Sequence, residues 1–304
     1  MIGSARSLGN SRLPLRGLAS AFCALLLVGC ADVFFAVVDS GADTRSLTEN
    51  RGIVFDATNG LALDAYVPRN VVNAPVVVFF YGGSWEAGKR RWYRYVGDAL
   101  ANHGVLVLIP DYRKYPDVHF PAFMHDAANA VAWAHEHAAE FGGDPKRLFV
   151  MGHSAGGQIA ALLAADKRYL NAAGLQPRDL AGMIGVAGAY AFLPFVENES
   201  EIFGDTAQGR YDSQPINFID GDEPPMLLLQ GVDDDVVPPN NAESLTERAH
   251  AMAGVAQLKL YRDVGHSSIV LAFARERTSR VPVLADTLAF IADPLGLSTT
   301  NTVR

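Results

Sequence analysis

Three residue types that cooperate in nucleophilic catalysis occur in this chain in a usable order. Ser154 stands in Gly152-His153-Ser154-Ala155-Gly156, after an apolar run at 148–151 and before a small-residue stretch at 156–165. Strand, Gly-x-Ser-x-Gly turn and helix make a nucleophile elbow. Glycine is needed two places before and after the serine, because a side chain there would strike the neighbouring strand or helix. The serine itself is expected in a strained conformation that lifts its hydroxyl out of the sheet. A serine hydroxyl is a poor nucleophile at neutral pH and needs a base, with a third group to hold that base in the right tautomer.

On such an elbow the acid and then the histidine follow the serine along the chain. Of eight histidines only His250 and His266 do so. His250 lies near the end of a helical run. His266 lies in Asp263-Val264-Gly265-His266-Ser267, directly after the last expected strand, where open α/β sheets place function. His266 is therefore the expected base. The acid must come from Gly231-Val232-Asp233-Asp234-Asp235-Val236-Val237-Pro238, where three aspartates compete. A tetrahedral intermediate also needs N–H donors aimed at its oxyanion. The expected donors are the backbone N–H groups of Ala155, after the nucleophile, and of Gly83 and Ser84 in Tyr81-Gly82-Gly83-Ser84-Trp85. His153 is expected to point away from the site. His135 and His137, two apart, cannot share a helix face as a metal pair, and no metal or organic cofactor is expected.

The elements that must position these residues follow from periodicity. Short continuous apolar runs at 75–80, 105–109, 148–151, 183–186 and 226–229 read as strands buried on both faces, with a last strand at 257–261. Helical patterns at 91–103, 121–141, 156–165, 239–253, 268–277 and 282–292 lie between or after them. Alternating buried strands and helices give an α/β fold, a doubly wound, mostly parallel sheet with right-handed crossovers. Before it, 52–56 and 61–67 flank Asn59-Gly60 and read as an antiparallel hairpin with a two-residue turn. Residues 188–225 break the rhythm and read as a cap-like insertion, with Tyr190, Phe192, Phe195, Phe203 and Phe218 as its apolar underside. The hydrolytic domain is expected over 51–293, with a tail at 294–304.

Composition narrows the partners. The chain has 304 residues and a formal charge of −8, with no basic cluster interleaved with aromatics, which argues against nucleic acid. Arg6, Arg12 and Arg16 precede an apolar stretch at 18–28, the pattern of an export signal. Its end, Leu27-Val28-Gly29-Cys30, resembles a bacterial lipobox, in which the cysteine is lipidated and becomes the mature N-terminus. The expectation is a signal peptide at 1–29, a lipidated tether at 30–50, and anchoring through Cys30 to a membrane of the bacterial envelope; the alternative is an uncleaved signal anchor running on through Val33 to Val38, which Asp32 interrupts. Losing 1–29 leaves 22 basic against 33 acidic residues, net −11. The only two cysteines, Cys23 and Cys30, lie in this leader, so no disulfide can form within the mature chain.

The set Y-G-G-S-W, D-Y-R at 111–113, F-P-A at 120–122, G-G-D-P-x-R at 142–147, G-H-S-A-G-G, G-x-x-D-x-x-V-P and G-H-S resembles the α/β-hydrolase superfamily. Within it the chain is similar to the carboxylesterase branch that holds feruloyl-esterase-like enzymes, isoprenylcysteine methylesterases and kynurenine formamidases. In G-x-x-D-x-x-V-P the acid falls on Asp234. The resemblance implies a Ser154–Asp234–His266 triad, an acyl-enzyme and a small-molecule ester substrate, with Asp111, Arg113 and Asp144 as scaffolding. Many relatives carry histidine where this chain has Tyr81, which changes how the loop is braced. Two rival readings are an arylformamidase-type amidohydrolase acting on N-formyl aromatics and a catalytically silent binding lipoprotein. A dinucleotide-binding domain is excluded because no G-x-G-x-x-G follows the first parallel strand.

Overall fold

The computed structural model describes residues 35, 37, 38, 46–274 and 280–297. The expected signal, Cys30 and most of the tether lie outside these residues. The described chain forms one eight-stranded sheet, in the order β1-β2-β4-β3-β5-β6-β7-β8. Its strands are β1 (Leu47–Asp56), β2 (Leu61–Pro68), β3 (Ala74–Phe80), β4 (Leu106–Pro110), β5 (Gly143–His153), β6 (Gly182–Val186), β7 (Met226–Gly231) and β8 (Ala256–Tyr261). The first two strands pair antiparallel, β2 joins β4 antiparallel, and β3 to β8 are all parallel.

The interior of β3 shows why the sheet is a rigid platform. Val76, Val77, Val78, Phe79 and Phe80 are all fully buried, because both faces are covered. Each such side chain contributes roughly 1.5–3 kcal/mol. The pairing Phe79↔Met151 and Phe80↔Gly152 brings the ends of β3 and β5 level. The loops that leave these two strands therefore start side by side.

The helices are α1 (Arg94–Ala101), α2 (Ala122–His137), α3 (Ala155–Ala165), α4 (Lys167–Ala172), α5 (Glu199–Phe203), α6 (Ala207–Asp212), α7 (Asn240–Ala251), α8 (His266–Leu271) and α9 (Val283–Ala292). Helices α2, α3 and α4 pack together on the sheet, while α9 packs with α1. Three local expectations change. The turn between β1 and β2 spans 57–60, because the carboxylate of Asp56 accepts from the N–H groups of Thr58 and Asn59 and from the Asn59 amide. Residues 47–50, expected in the tether, extend β1 and pair with 65–68. The helix expected at 91–103 begins as a 3-10 turn, Arg90–Tyr93.

The insertion at 188–225 is fastened at many points. The Asn241 amide oxygen accepts from the N–H groups of Tyr190 and Ala191, and the Gln214 oxygen accepts from Phe192 N–H. Lys167 pairs with Asp220 and Asp222. Of the aromatics expected beneath it, Phe192 and Phe203 pack on Trp85 with ring centres 5.6 and 4.9 Å away, and Phe195 stacks on Phe203. Tyr190 turns into the core instead, and Phe218 packs beneath Arg168 and beside Tyr211. Among the described residues, no helix is long and apolar enough to cross a membrane.

Candidate active site

The elbow is built by backbone crowding. A Cβ on Gly152 would lie 2.0 Å from the carbonyl oxygen of Gly156, and one on Gly156 would lie 2.0 Å from that of Phe80. Real Cβ atoms do not approach backbone oxygens so closely, so both positions require glycine. Gly157 packs the same way on the Cα of Gly188, at 2.7 Å from its own virtual Cβ. Between these contacts Ser154 is held at φ 55°, ψ −122°, a strained conformation for a residue with a side chain. Its N–H donates to Val186 O, and its carbonyl accepts from Gly157 and Gln158, which starts α3.

The hydroxyl so presented meets His266. Ser154 Oγ lies 2.9 Å from His266 Nε2, and His266 Nδ1 lies 2.9 Å from Asp234 Oδ2. A carboxylate only accepts, so His266 carries its proton on Nδ1 and leaves Nε2 free to accept from the serine. The three residues come from the ends of β5, β7 and β8. His266 is the first residue of α8. Its entry is held by Ser268, whose Oγ accepts from Gly265 N–H.

Among the three competing aspartates, Asp234 is buried and Asp233 and Asp235 are exposed. Its Oδ1 accepts from the N–H groups of Val236 and Val237, and its Oδ2 accepts from the amide of Gln230 as well as from His266. Burial pushes this carboxyl up, but the hydrogen bonds from His266 and from Val237 and Val236 outweigh it and leave it below the usual range. Asp234 is therefore ionised at neutral pH. Gln230 is fully buried and also donates to Val237 O, closing the acid loop on itself. No motif pointed to it; its signal was a lone amide at the end of an otherwise apolar strand.

The loop after β3 lies against the nucleophile. A Cβ on Gly82 would sit 3.0 Å from the Cβ of Ser154. Gly83, Ser84 and Trp85 all have positive φ, at 136°, 51° and 58°. The N–H groups of Glu86 and Ala87 donate to Gly83 O and fold the loop back. Among the described residues, the N–H groups of Gly83, Ser84 and Ala155 have no protein acceptor. Tyr81 is buried. Its hydroxyl donates to Asp111 Oδ1 at 3.2 Å and accepts from Lys114 Nζ at 3.0 Å, and its carbonyl accepts from Tyr112. Asp111 also pairs with Arg90, Arg113 forks onto Asp126, and Asp144 caps the turn at Lys146, so these three are scaffolding contacts. Trp85 Nε1 donates to the buried Gln158, whose amide in turn donates to Ser213 O in the insertion.

Two other histidines are engaged away from the site. His250 bonds Ala256 O, and His137 pairs with Glu140. His153 departs from expectation: its Nε2 lies 3.1 Å from the carbonyl oxygen of His266, so it turns toward the site. Among the described residues no three His, Cys, Asp or Glu side chains cluster as a metal site would require.

Known proteins share this fold. Esterase B from Lactobacillus rhamnosis superposes with a TM-score of 0.77 at 18% identity, covering 92% of this chain and 96% of that one. A truncated carbohydrate esterase from gut microbiota superposes at 0.71, also at 18% identity, covering 84% and 99%. In sequence, a probable isoprenylcysteine α-carbonyl methylesterase of Arabidopsis thaliana is 26% identical over 73% of this chain and 51% of its own length. Esterase LipC of Mycobacterium tuberculosis is 31% identical over 69% of this chain and 57% of its own. The chain thus spans little more than half the length of these relatives. The BD-FAE family model matches residues 63–249, which carry the elbow, the Gly82-Gly83 loop and the acid loop, and the chain belongs to this family of α/β-hydrolases.

Proposed function

We propose that the chain is a serine carboxylesterase acting on a small-molecule ester. The supporting observation is the continuous relay from Ser154 Oγ through the His266 ring to Asp234, with both contacts at 2.9 Å. Relatives named as methylesterase and esterase agree with this reading. Ser154 Oγ attacks the ester carbonyl as its proton passes to His266 Nε2. Asp234 holds the Nδ1–H tautomer and stabilises the imidazolium. The N–H groups of Ala155, Gly83 and Ser84 donate to the negatively charged tetrahedral oxygen and stabilise it. The ester C–O bond then breaks, the alcohol departs with the proton from Nε2, and an acyl-enzyme remains. Water gives its proton to the same nitrogen, attacks the acyl carbon, and releases the acid as Ser154 recovers its hydrogen.

Hydrolysis of a short-chain nitrophenyl ester tests this reading. Ser154→Ala should lower turnover by roughly a millionfold, and it should abolish labelling by a fluorophosphonate probe. Turnover near that of the wild type in this variant would refute the mechanism. A wild type that cleaves N-formyl aromatic amides and no ester would shift the reading to a formamidase.

The tetrad Leu27-Val28-Gly29-Cys30 supports export and lipid anchoring. Cys30→Ser should move the protein from the membrane to the soluble fraction. A variant that stayed with the membrane would overturn the anchor.

A further inference from the structure

We propose that His153 is a positioning residue that ties the backbone of His266 to the Gly82-Gly83 loop through Tyr93; this rests on the serine-hydrolase reading above. The observation is a chain of three hydrogen bonds that runs behind the nucleophile. Gly82 N lies 3.2 Å from Tyr93 Oη, Tyr93 Oη lies 3.1 Å from His153 Nδ1, and His153 Nε2 lies 3.1 Å from the carbonyl oxygen of His266.

The ends of this chain set its direction. A backbone amide can only donate and a backbone carbonyl can only accept. Gly82 N–H therefore donates to Tyr93 Oη, and His153 donates from Nε2–H to His266 O. A neutral imidazole with its proton on Nε2 must accept at Nδ1, and it accepts from the Tyr93 hydroxyl. Every donor and acceptor along the path is thereby used once. Both side chains are suited to this by burial. His153 is 5% exposed and its imidazolium form is disfavoured, first by burial and then by the charge of His266. Burial likewise pushes the Tyr93 hydroxyl up to about 12. Neither group ionises at neutral pH, so the path keeps one polarity.

Its place in the fold gives it a task. Tyr93 is wedged among Phe79, Tyr81 and Tyr95, with ring centres 5.5 to 6.1 Å away. The His153 ring lies 4.9 Å from that of His266. His266 begins a helix of only six residues, and its ring must hold two bonds at once. The bond from His153 grips the peptide next to the His266 Cα and refers it to the loop that presents Gly83 and Ser84. One path thus sets the base and the oxyanion donors relative to each other across Ser154. Such registration matters more in the transition state than in the bound substrate, so its loss should appear in kcat and not in KM.

The test uses the full-length protein and two replacements that each mimic one ring nitrogen. The His153→Gln amide can reach the position of Nε2 and keep the donor to His266 O. The His153→Asn amide reaches only as far as Nδ1 and abandons it. For His153→Asn a fall in kcat of about ten- to a hundredfold at unchanged KM is expected, the scale of a misplacement of about 1 Å. For His153→Gln, kcat should stay within about threefold of the wild type. A merely structural histidine would make the two variants fall alike. A wild-type kcat in His153→Asn, or equal losses in both variants, overturns the proposal. If His153→Asn does not fold, Tyr93→Phe carries the test. It removes the link to Gly82 while keeping the ring, and a wild-type kcat in that variant overturns the proposal. Fluorophosphonate labelling of the wild type at Ser154 is measured alongside. Failure to label sinks the hydrolase reading itself, whereas labelling with an unaltered variant series sinks only the role of His153.

Discussion

The two sides of the active site are built by different physics. On the nucleophile side, Ser154 is placed by what the backbone cannot do. Gly152, Gly156 and Gly157 leave no room for a side chain, and the sheet holds β3 and β5 level beside them. On the acid–base side, Asp234 and His266 are placed by what side chains and amides donate and accept: Gln230, Val236, Val237, Ser268 and His153. Steric placement is close to all-or-nothing, because a carbonyl cannot give way by an ångström without moving its strand. Placement by hydrogen bonds is graded, because each bond can be lost singly. The nucleophile side should therefore fail through the fold, and the acid–base side through the rate.

The largest effect should follow from Gly156→Ala. Its new methyl would lie 2.0 Å from Phe80 O and 2.7 Å from Tyr81 O, which are backbone atoms of β3 and of the loop that follows it. Overpacking of this kind costs about 3 kcal/mol or more, and here it also displaces Gly82 and Gly83. Thermal unfolding and ester turnover should both collapse. An unchanged melting temperature with only reduced turnover would break the contrast. Next comes Asp234→Asn, the corresponding change on the other side. The amide keeps the shape but presents an N–H or a neutral oxygen to His266 Nδ1, which favours the wrong tautomer. Turnover should fall about 10⁴-fold with the fold intact. A loss of only a fewfold would mean that Asp233 or Asp235 carries the role instead.

The same division explains what could be read from the sequence. The elbow was legible because steric necessity leaves an invariant local mark, two glycines at fixed offsets from one serine. The parallel strands were legible because burial on both faces leaves continuous apolar runs. The sheet order, which brings the ends of β3, β5, β7 and β8 together, was not legible, because the alternation shows only that the strands are mostly parallel and not which of them are neighbours. Asp234 could be separated from Asp233 and Asp235 only through the resemblance; the structure distinguishes them by burial and by the N–H groups of Val236 and Val237. His153 and Gln230 were missed in part because each also bonds a backbone carbonyl, of His266 and of Val237, and a carbonyl carries no residue identity. His153 donates to a carbonyl 113 positions away, and no local pattern encodes that. The cap was read only in outline. Phe192, Phe195 and Phe203 do gather against Trp85, but Tyr190 and Phe218 have the same composition and go elsewhere. The backbone at Tyr190 and Phe192 is held by Asn241 and Gln214, which hydrophobicity alone does not encode.

A smaller effect separates the two sides by pH. The glycine contacts that place Ser154 involve no titrating group, whereas the hydrogen bonds that place Asp234 and His266 involve two buried ones, Asp234 itself and His153. For Asp234 the folded carboxyl lies below its usual range, so its stabilising contribution is present above that range and is lost only in acid. His153 acts at milder pH. Burial and the nearby His266 push it down from 6.5 to about 3. Between those values the unfolded chain binds a proton that the folded chain refuses, so stability falls as pH falls through 6.5 and keeps falling until about 3. From pH 7 to pH 5 this amounts to about 2 kcal/mol. Urea unfolding of the wild type and of His153→Gln at both pH values isolates it, since other titrating groups are common to the two proteins. The wild type should lose about 2 kcal/mol more than the variant on acidification. Equal losses would mean that His153 takes up its proton in the folded state by pH 5, and the bond direction assigned from Gly82 to His266 would then not survive acidification, because a protonated ring donates from both nitrogens.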